Sequence, residues 1–303
     1  MQALGSPAIY VSKPSWLSRQ WWLLRQAFWN AYGDNCFGIA KGAAYSSLLS
    51  FFPVMTSLTT ILVQTNASSV ANQITMFVFD AVPPGSQELV ERFFAVRGGE
   101  PVYLIVVAFL LSLWAASGAM MSLIEGFNAA YHIPRGRGPV KERLIAALLV
   151  LCVALPGVGA SALIIFGNQT EATLLYTIGI SRSGAELTTW IALLGKAMRF
   201  LLALGGIVLG TALLYQIAPN RRLRFRDVWR GAIVASVLWL LTTAGFNWYV
   251  RNVANYSVLY GSIAAVIAML VWMYLLSIIA FVGCEFNVAR ERLDQIAKQV
   301  AAA

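Results

Sequence analysis

Apolar residues dominate six stretches of this chain, near 40–64, 102–129, 143–167, 187–217, 229–250 and 258–287, with polar residues gathered between them. Each reaches the about 20 residues that a helix needs to cross a hydrocarbon layer. Residues 15–32, "SWLSRQWWLLRQAFWNAY", have another pattern. Trp21, Leu24, Phe28 and Tyr32 recur at helical spacing, while Arg19, Gln26 and Asn30 occupy much of the other side, which predicts an amphipathic helix lying on the membrane surface. In the long segment 65–101, Val70, Ile74, Phe77, Val78 and Ala81 mark a short helix that Pro83, Pro84 and Gly85 break, and a second short helix runs towards Phe94. The pattern therefore predicts an all-α, polytopic membrane protein. It is a six-transmembrane-helix bundle with an N-terminal amphipathic surface helix and short helices in the first outer loop. Residues 1–36 form a cytoplasmic segment, 37–290 the transmembrane domain and 291–303 a cytoplasmic tail.

Charge orients the bundle. Lys and Arg number 22 against 13 acidic residues, a formal net charge of +9. Sixteen of the 22 fall in the N-terminal segment, the second-to-third and fourth-to-fifth connections and the tail. The alternate loops hold Arg92, Arg97, Arg182 and Arg251, and Lys196 and Arg199 lie within a span. This asymmetry predicts both termini in the cytoplasm. It also accounts for the basic balance without nucleic acid. Arg221, Arg222, Arg224 and Arg226 read as an anchor on anionic lipid headgroups. With 59% hydrophobic and only 12% charged residues, the composition excludes an ordinary soluble domain.

Few residues invite chemistry. Cys36, Cys152 and Cys284 form no CxxC pair, His132 is the one histidine, and no Walker loop or GxSxG elbow occurs. No enzyme activity, metal or cofactor is expected. Ala115, Gly118, Ala119, Ser122 and Gly126 form a small-residue stripe that lets a second helix approach closely. Glu125 and Asn128 lie beside it, at the cytoplasmic margin of the second span, and Glu285 is at similar depth in the last one. A carboxylate there should face the bundle interior and find a partner. Lys196 and Arg199, one helical turn apart near the outer boundary, either snorkel or line an outer mouth that attracts anions.

The stretches "AAYSSLLSFFP", "LWAASGAM…IEGFN", "LLYQIAPNRRLRFRDVWRGAIVASVLW" and "YSVLYGSIAAVIAMLVWMYLLSIIAFVGCEFN" together resemble the YihY/virulence factor BrkB family, in order, from about residue 25 to 290. The resemblance implies a bacterial inner-membrane protein with six spans and both termini inside. Some members carry an old ribonuclease BN label, for which these residues offer no acidic or histidine cluster. Many relatives place a basic residue after "SGAM"; here Met121 follows Met120.

In "GAAYSSLLSFFP", Tyr45, Ser46, Ser47 and Ser50 lie within three turns of Lys41, and Pro53 interrupts the helical hydrogen bonds. Two readings remain: these groups line a polar cavity together with Glu125, Asn128 and Glu285, or the serines bond back to their own helix. The first fits a transporter or flippase-like protein for an amphipathic envelope molecule. The alternative is a non-transporting scaffold or envelope-integrity factor. Membrane lipids are the expected partners; the sequence does not set the oligomeric state. Reporter fusions at residues 80 and 180 should report the outer side and one at 223 the inner side. A cytoplasmic signal at 180 would break the six-span topology.

Overall fold

The computed structural model describes residues 16–64, 102–134, 136–177, 185–252 and 263–302. The expected short helices of 65–101 lie outside them. The described residues form seven helices: α1 (Trp16–Gly33), α2 (Cys36–Gln64), α3 (Val102–Ala130), α4 (Pro139–Thr177), α5 (Ala185–Ile217), α6 (Phe225–Asn252) and α7 (Ala264–Ala302). Four stretches among them, within α3, α5, α6 and α7, are long and apolar enough to cross a membrane. The chain is a helical membrane protein. α7 continues through residues expected as a tail.

Sequence neighbours are neighbours in space. Each of α2 to α6 packs against the next helix in the chain, and α7 returns to α2, which closes a ring; α7 also meets α3 across it. α1 lies against α7. Its buried face is Leu23, Ala27 and Ala31, whereas Trp21, Phe28 and Tyr32 of the expected apolar face are exposed. The reason is steric: two alanines allow the α1 backbone to come close to α7, and three aromatic rings would hold it away.

The helix ends are closed by specific groups. Asn35 takes a left-handed conformation (φ 56°) in the two-residue junction between α1 and α2, as asparagine tolerates better than most residues. His132 does the same after α3 (φ 55°), where its own N–H donates to the carbonyl of Ala129 and that of Ile133 to the carbonyl of Asn128. Arg137 caps α5 from the α3–α4 connection. Its guanidinium donates to the carbonyls of Ala218 (3.0 Å), Pro219 (2.9 Å) and Ile217 (3.4 Å), and to Asn220 Oδ1 (3.1 Å). These are among the carbonyls a helix end leaves without intrahelical donors.

Packing is densest at the end where α3, α5 and α7 finish and α4 and α6 begin, the arginine-rich end. Phe127, Tyr215 and Phe281 fill the ring there; the Phe127 ring stacks edge-on against the other two, with centroids 5.4 and 5.6 Å apart. Tyr215 Oη donates to the carbonyl of Ala280 at 2.7 Å. α6 and α7 cross at Gly231 and Gly283 so closely that a Cβ on Gly231 would overlap the Gly283 carbonyl oxygen. A Cβ on Gly283 would meet the Tyr215 hydroxyl and lie 2.7 Å from Ala235 Cβ. The α2–α3 contact uses small residues too: Ser46 Cβ lies 4.0 Å from where a Gly118 Cβ would stand.

Towards the other end packing is uneven: Ser57, Ser112, Phe246 and Met269 stay buried, but parts of α3 and α5 are exposed. From Leu193 to Leu202, α5 has no buried residue on any side, although a packed helix shows a buried stripe every third or fourth position. On α3, Val106, Val107, Phe109, Leu110 and Leu111 are all exposed. Gly157, Gly159, Gly205 and Gly245 face open space, unlike the compressed glycines of the arginine-rich end.

Gly283→Val should abolish the folded monodisperse protein in mild detergent, because the contacting atoms at Gly231 and Ala235 belong to or adjoin backbone and cannot yield. Arg137→Ala should leave a folded protein destabilised by about 1.5–3 kcal/mol, the loss of hydrogen bonds from a charged donor. Thermal unfolding in detergent checks both.

Candidate functional site

The centre of the arginine-rich half holds buried polar side chains. Asn287, 3% exposed, spans the α6–α7 crossing: its Oδ1 accepts from the Gly231 amide (2.8 Å) and its Nδ2 donates to the Val228 carbonyl (3.0 Å). Asn128 Oδ1 accepts from the Asn220 amide at 2.8 Å, so α3 is tied to the α5–α6 connection that Arg137 also holds. Both asparagines are satisfied and serve as cross-braces.

Glu285 differs. It is 0% exposed and neither carboxylate oxygen completes a hydrogen bond. Asn30 and Asp34 of α1 face it, and Arg292, two turns further along α7, is within electrostatic reach. His132 Nδ1 lies 3.8 Å from Asp34 Oδ1 on the exposed side of that carboxylate. Asp34 thus stands between a buried acid and an exposed imidazole. Sequence reasoning missed Asn30 and Asp34 because it assigned α1 to the lipid surface. The two-residue link to α2 was the available signal, since it fixes residue 34 at the ring.

The other expected site residues do not gather around Glu285. Tyr45 is 60% exposed, and Glu125 is exposed as well. Ser46 is half-buried in the contact with α3, and Ser50 Oγ donates to the Ser47 carbonyl at 2.8 Å. Around Pro53 the hydroxyls form a separate knot. Ser112 Oγ lies 2.5 Å from Ser57 Oγ and 2.7 Å from the carbonyls of Pro53 and Ala108, which joins α2 to α3 at the kink. Arg143, counted among the connecting charges, folds along α3 instead: it donates to the Trp114 carbonyl (2.7 Å) and Met121 Sδ (3.0 Å), with its guanidinium 4.1 Å from the Trp114 ring. It brings a basic group to the span where the sequence shows none after "SGAM". On α5, Lys196 is exposed and Arg199 half-buried.

A second feature opens at the arginine-rich surface. A cleft of about 350 Å³ lies between the α5–α6 connection and α7, lined by Tyr131, Arg221, Arg222, Arg224, Arg290 and Lys298 together with Asp227, Glu291 and Asp294. Arg226, also of the expected anchor, is exposed. Arg221 pairs with Glu291 and stands 5.6 Å from the Tyr131 ring. Burial pushes the Tyr131 phenol well above its usual range, with the neighbouring Cys284 and Glu291 adding to the shift and Arg221 opposing it.

A ring of apolar helices, braced by buried asparagines and edged with arginine at one end, defines an integral membrane protein rather than a soluble enzyme. The chain belongs to the virulence factor BrkB family, whose model matches residues 27–303. It is 29% identical over 253 residues to the putative ribonuclease-like protein YfkH of Bacillus subtilis, covering 82% of this chain and 89% of that one. A UPF0761 membrane protein of Alteromonas mediterranea is 27% identical over 84% of this chain and 82% of its own. Another, of Chromohalobacter salexigens, is 30% identical over 91% of this chain and 66% of its own. No solved structure matches.

Glu285→Leu should hold or raise the thermal midpoint in detergent, because leaving a buried polar group unpaired costs about 1–3 kcal/mol. Glu285→Gln should also fold. Loss of monodisperse protein in both variants would show that the carboxylate has an essential structural partner.

Proposed function

We propose that the chain is a six-span inner-membrane protein, both termini in the cytoplasm, that moves or exposes an amphipathic envelope molecule. The observation that carries this reading is the uneven packing of the ring. Its arginine-rich, inner end is plugged by Phe127, Tyr215 and Phe281, whereas α5 at the other end has no buried residue from Leu193 to Leu202. A bundle closed on one side and parted on the other is one limb of an alternating-access cycle. Lys196 and Arg199, on the parted section of α5, would attract an anionic headgroup. Glu285 would supply the polar group that senses inner-end opening, since its burial without a hydrogen bond gives it most to gain from rehydration.

A second reading is a non-transporting scaffold or envelope-integrity factor. The separation of Tyr45 and Glu125 from Glu285 favours it, because no single polar chamber unites them. Neither reading is enzymatic; the ribonuclease-like name belongs to the Bacillus relative.

Vesicles reconstituted with the protein and a fluorescently labelled phospholipid separate the two. Transfer between leaflets should exceed that of empty vesicles, fall in Glu285→Gln, and fall in the double variant Lys196→Gln/Arg199→Gln. Folded protein that gives the same transfer as empty vesicles would leave the scaffold.

A further inference from the structure

Outside the ring, α1, α6 and α7 enclose a lateral groove of about 300 Å³. Leu24 and Phe28 of α1, Leu238 of α6 and Leu275, Ile279 and Val282 of α7 line it, and its surface is almost wholly apolar. Two turns beyond Leu238 and Val282, in the direction of the arginine-rich end, come Arg230 on α6 and Arg290 on α7. Both helices therefore carry a guanidinium about 12 Å above the top of the groove, within the combined reach of an arginine side chain and a lipid headgroup.

The charges there do not cancel. Arg290 has Arg230 and Arg19 as its cationic neighbours and Asp294 and Asp227 as its anionic ones. Asp294 is divided: it lies 3.2 Å from Arg19 and 3.9 Å from Arg290. Three guanidiniums against two carboxylates leave one positive charge where the side chain of Arg290 is only 19% exposed. Arg230 stands 5.7 Å from the Trp229 ring. The exposed Trp21 and Trp29 of α1 mark a headgroup-level belt beside the groove.

We propose that this crevice binds one anionic phospholipid. An acyl chain fills the apolar groove, and the phosphodiester, with its single negative charge, completes the pairing of Arg230 and Arg290. Guanidinium suits that role because its planar fork matches phosphate oxygens. The lipid adds to the seat that Leu23, Ala27 and Ala31 give α1 on the ring. The site is outside the ring and is independent of whether the ring moves anything.

The test is native mass spectrometry of the delipidated full-length protein in mild detergent, offered equimolar phosphatidylglycerol and phosphatidylcholine. The expected result is a one-to-one phosphatidylglycerol adduct favoured about tenfold, as two charge-assisted contacts allow. Arg230→Gln/Arg290→Gln should erase the preference, while Lys41→Gln/Lys141→Gln, which removes two exposed charges near the starts of α2 and α4, should keep it. Ile279→Trp, which fills the groove, should weaken binding of both lipids. Half-molar salt should lower the preference in the unmodified protein, a readout that needs no variant. Equal binding of the two lipids to the unmodified protein would overturn the proposal, as would a preference that survives Arg230→Gln/Arg290→Gln or is lost equally in Lys41→Gln/Lys141→Gln.

Discussion

The contact between Gly231 and Gly283 sets the spacing of everything around it. With no Cβ on either residue, α6 and α7 touch backbone to backbone, and Asn287 can place its amide directly on the first turns of α6. Tyr215 then packs over Gly283 and donates to the Ala280 carbonyl, and the rings of Phe127 and Phe281 close around it. In lipid, where the tails are as apolar as the side chains, such close approach and such hydrogen bonds are what hold helices together. A larger residue at Gly231 would displace Gly283 and Asn287, and one at Gly283 would displace Tyr215, Ala235 and Gly231.

The two ends of the bundle follow different rules. The arginine-rich end is held by directed bonds: Arg137 on the α5 terminus, Asn128 on Asn220, Asn287 on α6. At the other end α5 has no buried residue from Leu193 to Leu202, and burial falls to single positions such as Ser57, Ser112 and Met269. Glu285 and Ser236 depart from the rule of directed bonds within the firm end, as buried side chains without a hydrogen bond.

A helix over each long apolar stretch was legible in the sequence, because such a run flanked by charge has one reading in a membrane, although α4 and α7 continue well past the expected spans 143–167 and 258–287. The expected spans 102–129 and 187–217 match α3 and α5 to within two residues at each end. What faced what was less legible. Ala27 and Ala31 of α1 carry little hydrophobic signal, yet they decide the docking of that helix, while the more conspicuous tryptophans point outward. Arg137 and Arg143 were counted only as loop charges; their hydrogen bonds to Ala218 and Trp114 depend on how separate parts of the chain meet. The small-residue stripe of α3 did reveal a contact face, with Gly118 against Ser46. The serines of "GAAYSSLLSFFP" serve helix packing and their own backbone more than a shared chamber.

The return of α7 to α2 has a consequence for how the molecule is made. α7 touches α1, α2, α3 and α6, and it leaves the ribosome after all of them. Until then α1 has no seat, Gly231 has no opposing glycine, and the seam between α2 and α6 stays open. The earlier helices must wait in the bilayer as an unclosed arc, so the decisive packing of the ring happens only once α7 has been inserted, and a chain cut before Asn287 would be inserted without being assembled.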